Sequence, residues 1–136
     1  MFCVWSGKRL DERNLDIDHC FPWVAWPCGD LWNLLSSTRR VNQTLKRDQL
    51  VDAATLAGAH DRIIDWWQRG YRTASPPRIA ERFAREATAT LFVSQADEGN
   101  GLLDDVFSGV EYQRMRLRHD QKLEEWSGLQ LISCPP

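Results

Sequence analysis

Residues 15–48 read LDIDHCFPWVAWPCGDLWNLLSSTRRVNQTLKRD, and the fold turns on this stretch. Leu15 and Ile17 alternate with Asp16 and Asp18, the period of a short strand. Cys20–Asp30 holds Pro22 and Pro27, which remove backbone donors, so it reads as a rigid loop. Leu31–Leu35 (LWNLL) is an apolar run of strand length. Ser36, Ser37 and Thr38 offer helix N-caps, and Thr38 to about Asp48 has helix-forming composition. Strand, loop, strand and helix within roughly 35 residues make a compact supersecondary unit.

Downstream the pattern becomes helical. Leu56, Ile63, Ile64, Trp67 and Tyr71 recur at helical intervals between charged residues, and Gly70 with Ser75-Pro76-Pro77 ends that segment. Ile79, Phe83, Ala87 and Leu91 lie four apart and predict a second amphipathic helix. Gln95–Gly101 reads as a turn. Leu103, Val106, Phe107, Val110 and Leu117 predict a third helix, interrupted at Gly109. The tail carries Trp126 and ends in Pro135-Pro136, where fraying is expected. The expected class is therefore α+β: a ββα unit over residues 1–50 and a mainly helical extension over 51–136 packed on it.

Composition bounds what such a chain does. Its 136 residues allow one domain, and 43% hydrophobic with 26% charged residues is ordinary globular composition. A net charge of −2 excludes a histone-like cationic coat. The charge is uneven: residues 1–50 hold seven Lys/Arg against six Asp/Glu, and the remainder ten against thirteen, so polyanion contact belongs to the first segment. Seven Trp residues are an excess that supplies core to a small domain. No stretch is long enough to span a bilayer, and MFCVWSGKRL lacks the layout of a secretory signal, so the cytoplasm is the expected compartment. Cys3, Cys20, Cys28 and Cys134 form no CxxC pair and read as buried or semi-buried free thiols.

Asp18, His19, Asn33 and Asn42 are the polar residues this unit can bring together. A carboxylate oxygen from Asp18 and an amide carbonyl from Asn42 are hard donors suited to Mg²⁺ or Mn²⁺, which keep several waters and leave room for a phosphate. The His19 imidazole can take a proton from an attacking water. Asn33 can orient either the loop or that imidazole. Lys46 follows Asn42 by four on the expected helix and can neutralise a scissile phosphate, while Arg39, Arg40 and Arg47 can grip its neighbours. These are the parts of metal-assisted phosphodiester hydrolysis.

On DIDHCFPW (Asp16–Trp23), DLWNLL (Asp30–Leu35) and RVNQTLKRD (Arg40–Asp48), the chain resembles the HNH endonucleases of the ββα-metal fold. The nine-residue step from Asn33 to Asn42, with Asn as the third letter, is similar to the HNN variant. The resemblance implies that Asp18 and Asn42 bind a single Mg²⁺, that His19 is the general base and that Asn33 is structural or orienting. It implies DNA as the substrate; a further expectation, separate from the resemblance, is a protein partner or a missing N-terminal region that directs target choice. Two departures stand out. The zinc-bracing CxxC pairs of many members are lacking, and the cluster Trp5, Trp23, Trp26 and Trp32 is expected to brace the core instead. The motif also starts so close to Met1 that the chain is expected to be part of a longer protein or a shortened gene product. The competing expectation is a non-catalytic nucleic-acid-binding or interaction module that keeps this fold.

The remaining polar residues read blandly. His60 is expected to be packed or partly exposed on its helix, and His119 solvated. Arg114, Arg116 and Arg118 recur every second residue and spread around a helix instead of forming one stripe.

Overall fold

A computed structural model describes residues 1–73, 76–93 and 101–133. Ser75, nearly all of the expected Gln95–Gly101 turn, Cys134 and the Pro135-Pro136 terminus lie outside the described residues. The chain is α+β. Strands β1 (Leu15–His19) and β2 (Leu34–Thr38) pair antiparallel, Leu15 opposite Thr38 and His19 opposite Leu34. A short helix, Val41–Lys46, follows β2 directly. Then come β3 (Leu50–Val51), α1 (Ala53–Gly58), α2 (His60–Trp67), α3 (Arg78–Leu91), α4 (Leu102–Gln121), β4 (Glu125–Trp126) and α5 (Gln130–Ser133). No described helix is long and apolar enough to cross a membrane.

The second strand starts three residues later than LWNLL suggests. Leu31–Asn33 instead forms a single 3₁₀ turn, because Asn33 donates its backbone N–H to Asp30 O at 2.9 Å and commits its side chain to the loop. The helix after β2 is also shorter than expected and wound differently. It closes with a bond from Arg47 N to Asn42 O at 3.1 Å, five residues back, and Arg47 leaves it at φ 54°. The long helix α4 runs unbroken through Gly109. A Cβ there would lie 3.2 Å from Leu91 Cβ, so this glycine serves close packing of α4 on the end of α3 and does not interrupt the helix. Asp52 caps α1, accepting Thr55 N–H at 2.8 Å.

One apolar core runs through both halves of the chain, from Val4, Trp5, Phe21 and Trp32 to Trp67, Phe83, Val106 and Trp126. At about 200 Å² per indole and 25 cal/mol per Å², each fully buried Trp contributes roughly 5 kcal/mol before entropy is charged. Their polar ends are satisfied where the helices meet the hairpin. Trp66 Nε1 and Tyr71 Oη both donate to Leu34 O at 2.8 Å, and Trp67 Nε1 donates to Trp32 O at 3.2 Å. Glu86 of α3 accepts Leu31 N–H at 3.0 Å, and Trp32 Nε1 reaches Thr90 Oγ1 at 2.9 Å. The segment 31–34 is thus held from behind by α2 and α3.

The aromatic brace differs in one member. Phe21 and Trp26 stack at 5.7 Å, Trp32 meets both edge-on, and Trp5 meets Trp126 edge-on at 6.1 Å. Trp23 is not part of it, being 58% exposed. Cys3, Cys20 and Cys28 are buried free thiols, and burial pushes the Cys20 thiol up to about 12.

Candidate functional site

The end of the hairpin nearest His19 opens into a cleft of about 410 Å³, bordered by Asp18, His19, Trp23, Asn42, Arg47 and Asp48. The sequence-predicted trio of Asp18, His19 and Asn42 therefore meets at one place. Asp18 forms its floor and is 1% exposed. Its Oδ2 accepts Trp5 Nε1 at 2.7 Å, and Lys46 Nζ lies 3.2 Å from Oδ1 and 3.1 Å from Oδ2. Burial raises the Asp18 carboxyl, while the Lys46 ammonium and the Trp5 indole pull it back down.

Lys46 is where the sequence reading fails most clearly. It is 0% exposed, so it is placed neither to meet a substrate phosphate nor to bind nucleic acid. Like Asn42, which reaches Ile17 O, it lies on the side of its helix that faces β1, so the ammonium turns inward. There Lys46 Nζ also donates to His19 O at 2.9 Å. One buried cation thus fixes the side chain of Asp18 and the backbone of His19 together.

His19 is half-buried, its ring 6.0 Å from that of Trp23 in an edge-on contact. Asn42 donates Nδ2 to Asp16 Oδ2 at 3.0 Å and to Ile17 O at 3.3 Å. Those bonds orient the amide and leave its carbonyl oxygen without a donor among the described residues. Gln43 Nε2 adds a second donor to Asp16 Oδ2 at 2.9 Å. Partial burial acts to raise the Asp16 carboxyl, but these two amides, the Ile17 N–H and the Arg39 charge outweigh it and hold it below its ordinary value.

Asn33 orients the loop and not the imidazole. Its Oδ1 accepts Phe21 N–H at 2.8 Å, and its Nδ2 donates to Cys28 O at 3.0 Å and Phe21 O at 3.4 Å. Both ends of the 20–30 loop, which carries Trp23 to the cleft, are therefore tied to one buried amide. Arg47 borders the cleft, whereas Arg39 and Arg40 border a different one.

Three participants escaped the sequence reading: Trp5, Asp16 and Trp23. The strand period places Asp16 on the same face as Asp18, so its role as the anchor of Asn42 had a signal. Trp5 and Trp23 had none beyond the Trp excess.

A carboxylate has about four acceptor positions, and the three bonds to Asp18 leave one. That position and the free Asn42 carbonyl are the two hard oxygen donors, on residues bordering one cleft, that could hold a metal. Among the described residues no group of three or more His, Cys, Asp or Glu is placed to hold a metal. Compared with protein-family models, curated proteins and solved structures, the chain gives no match.

Proposed function

We propose that the chain is a metal-dependent endonuclease of the ββα-metal type, hydrolysing DNA phosphodiester bonds. The observation that carries this reading is the meeting of Asp18, His19 and Asn42 on one cleft, at the junction of a two-stranded hairpin and the helix that follows it. A Mg²⁺ ion held by Asp18 and the Asn42 carbonyl would supply charge stabilisation to the phosphoryl and leaving oxygens. The protein's own part is positional. Lys46 and Trp5 fix the Asp18 carboxylate, and Asp16 aims the Asn42 amide. His19 takes the proton of the attacking water as the new P–O bond forms and the bond to the 3′ oxygen breaks; that oxygen takes a proton from solvent, leaving a 5′-phosphate and a 3′-hydroxyl. Asn33 holds the loop that walls the cleft.

Plasmid conversion by the purified chain in Mg²⁺, Mn²⁺ and EDTA, beside His19→Ala, tests the reading. Metal-dependent nicking or linearisation lost in a folded His19→Ala variant supports it. Cleavage equal in wild type and variant removes His19 as the base. The second reading, a non-catalytic binding module, draws on the Lys46–Asp18 pair, which already gives the carboxylate a cation. It is favoured if the folded chain neither cleaves nor binds Mn²⁺.

A further inference from the structure

A second cleft, of about 390 Å³, lies at the opposite end of the hairpin, bordered by Lys8, Arg13, Asn14, Thr38, Arg39 and Arg40. Among the described residues no carboxylate lines it. None of its four cations forms an ion pair among the described residues. In the helical half Arg69, Arg82, Arg114, Arg116 and Arg118 each have a carboxylate within 3.9 Å, whereas Arg62, Arg78, Arg85 and Lys122 form no ion pair among the described residues and are not gathered in one cleft. Nearby acids are hydrogen-bonded to neutral donors, and of the four cations Arg39 acts on Asp16 through its charge without pairing with it. Asp11 Oδ1 accepts the backbone N–H groups of Arg13 and Asn14 at 2.8 and 3.0 Å, and Asp16 is held by Asn42 and Gln43. Arg39 spends only its Nε, on Leu15 O at 3.4 Å.

Four like charges gathered with no ion pair of their own repel one another, and a polyanion relieves that repulsion while releasing its own counter-ions. The guanidinium groups add planar donors that match phosphate oxygens. We infer that this cleft grips the phosphodiester backbone of the DNA substrate, an inference that rests on the nuclease reading for the identity of the polyanion. The spacing suits it. Asn14 borders this cleft and Asp18 the other, so about four residues at ~3.3 Å each separate them, roughly 13 Å. At ~3.4 Å of rise per nucleotide, that is about four nucleotides along one strand. Lys8 and Arg13 join Arg39 and Arg40 in this role, and Lys46 leaves it.

The test is fluorescence anisotropy of a labelled 30-base-pair duplex between about 50 and 200 mM NaCl in EDTA, where no cleavage occurs. Wild type is compared with the triple variant Lys8→Ala/Arg13→Ala/Arg40→Ala and with Arg78→Ala/Arg85→Ala, which removes exposed charge from α3. Three lost phosphate contacts should flatten the slope of log K against log salt by about 2.7. Across that range wild type should then lose about 40-fold more affinity than the triple variant, with the α3 variant tracking wild type. Equal slopes for wild type and triple variant overturn the inference, whatever the plasmid assay shows. The same flattening in the α3 variant also overturns it, because the effect is then one of net charge. A flattened slope in a chain that cleaves nothing supports this cleft while sinking the nuclease reading. Circular dichroism melts confirm that each variant is folded before its slope is read.

Discussion

Lys46 Nζ and Asp18 Oδ2 lie 3.1 Å apart beneath the cleft, and neither residue is more than 1% exposed. Breaking such a pair from one side leaves a lone charge in a low-dielectric interior, which typically costs about 3–5 kcal/mol. Lys46→Ala should therefore lower the unfolding free energy by about 3–5 kcal/mol in urea titrations. Lys46→Met combined with Asp18→Asn should cost less than the two singles added together, because neither charge is then stranded. A Lys46→Ala protein within about 0.5 kcal/mol of wild type would show that the ammonium lies in water instead.

Asn33→Ala removes the amide that serves Phe21 N–H and Cys28 O, both in buried surroundings. Unsatisfied buried groups cost about 1–3 kcal/mol each, so a loss of about 2–3 kcal/mol is expected. Asn33→Asp should not rescue it, since the Nδ2 donors are lost. Native-state hydrogen exchange reads the effect directly: the Phe21 amide should lose protection. Unchanged protection would mean that the loop is held by other contacts.

Asn42→Ala should leave stability nearly intact, within about 1 kcal/mol, because the residue is only half-buried and its bonds are few. Its expected mark is on metal dependence. The Mg²⁺ concentration for half-maximal plasmid cleavage should rise about tenfold or more. An unchanged titration would remove Asn42 from the metal's ligands.

His60 places Nδ1 2.8 Å from Asp61 Oδ1 and Nε2 3.0 Å from Asp104 Oδ1, joining α2 to the first turn of α4. The hydrogen bond to Asp61 raises its pKa above the ordinary 6.5, against a smaller desolvation effect, with Asp104 adding to the rise. A histidine with a raised folded-state pKa stabilises fully below its unfolded value and loses that contribution as pH climbs through the folded one. Wild type should thus exceed His60→Gln in stability at pH about 5.5, with the gap closing toward pH 8.5. The side chain is 39% exposed, so solvent screening holds the difference to about 0.5 kcal/mol. Melting temperatures across that range decide it, and parallel curves would refute the clamp.

At Gly109 two effects oppose each other. Alanine gains about 1 kcal/mol of helix propensity, but its Cβ meets Leu91 Cβ at 3.2 Å. Gly109→Ala should come out near neutral. Gly109→Val, with two more carbons against Leu91 and Val93, should cost about 1–3 kcal/mol by urea titration.

The parts of this molecule that local pattern governs were legible, and the parts that long-range packing governs were not. The alternation Leu15–Asp18 located β1, and the four-residue spacing Ile79–Leu91 located α3. Thr38–Asp48 looked like an ordinary helix, because composition does not distinguish i→i+4 from i→i+5 bonding. Nor does composition show which side of that helix packs on β1, and so whether Lys46 faces water or Asp18. Likewise, LWNLL has strand composition throughout, yet Asn33 spends its side chain on the loop and delays the strand to Leu34. The parallel pairing of Leu50 with Glu125 and Val51 with Trp126 joins two-residue strands, too short for any periodic signal.

That pairing sets the order in which the cleft can be completed as the chain emerges from the ribosome. Trp126 of β4 meets Trp5 edge-on, and Trp5 donates to the Asp18 carboxylate. The hairpin bearing Asp18 and His19 is synthesised early, but the indole behind its floor has its packing partner near the other end of the described chain. Synthesis at about 5–20 residues per second leaves that floor open for several seconds after the hairpin has emerged. The residues of the cleft are therefore completed last although they are translated first, so a nascent chain carries the motif before it carries the finished cleft.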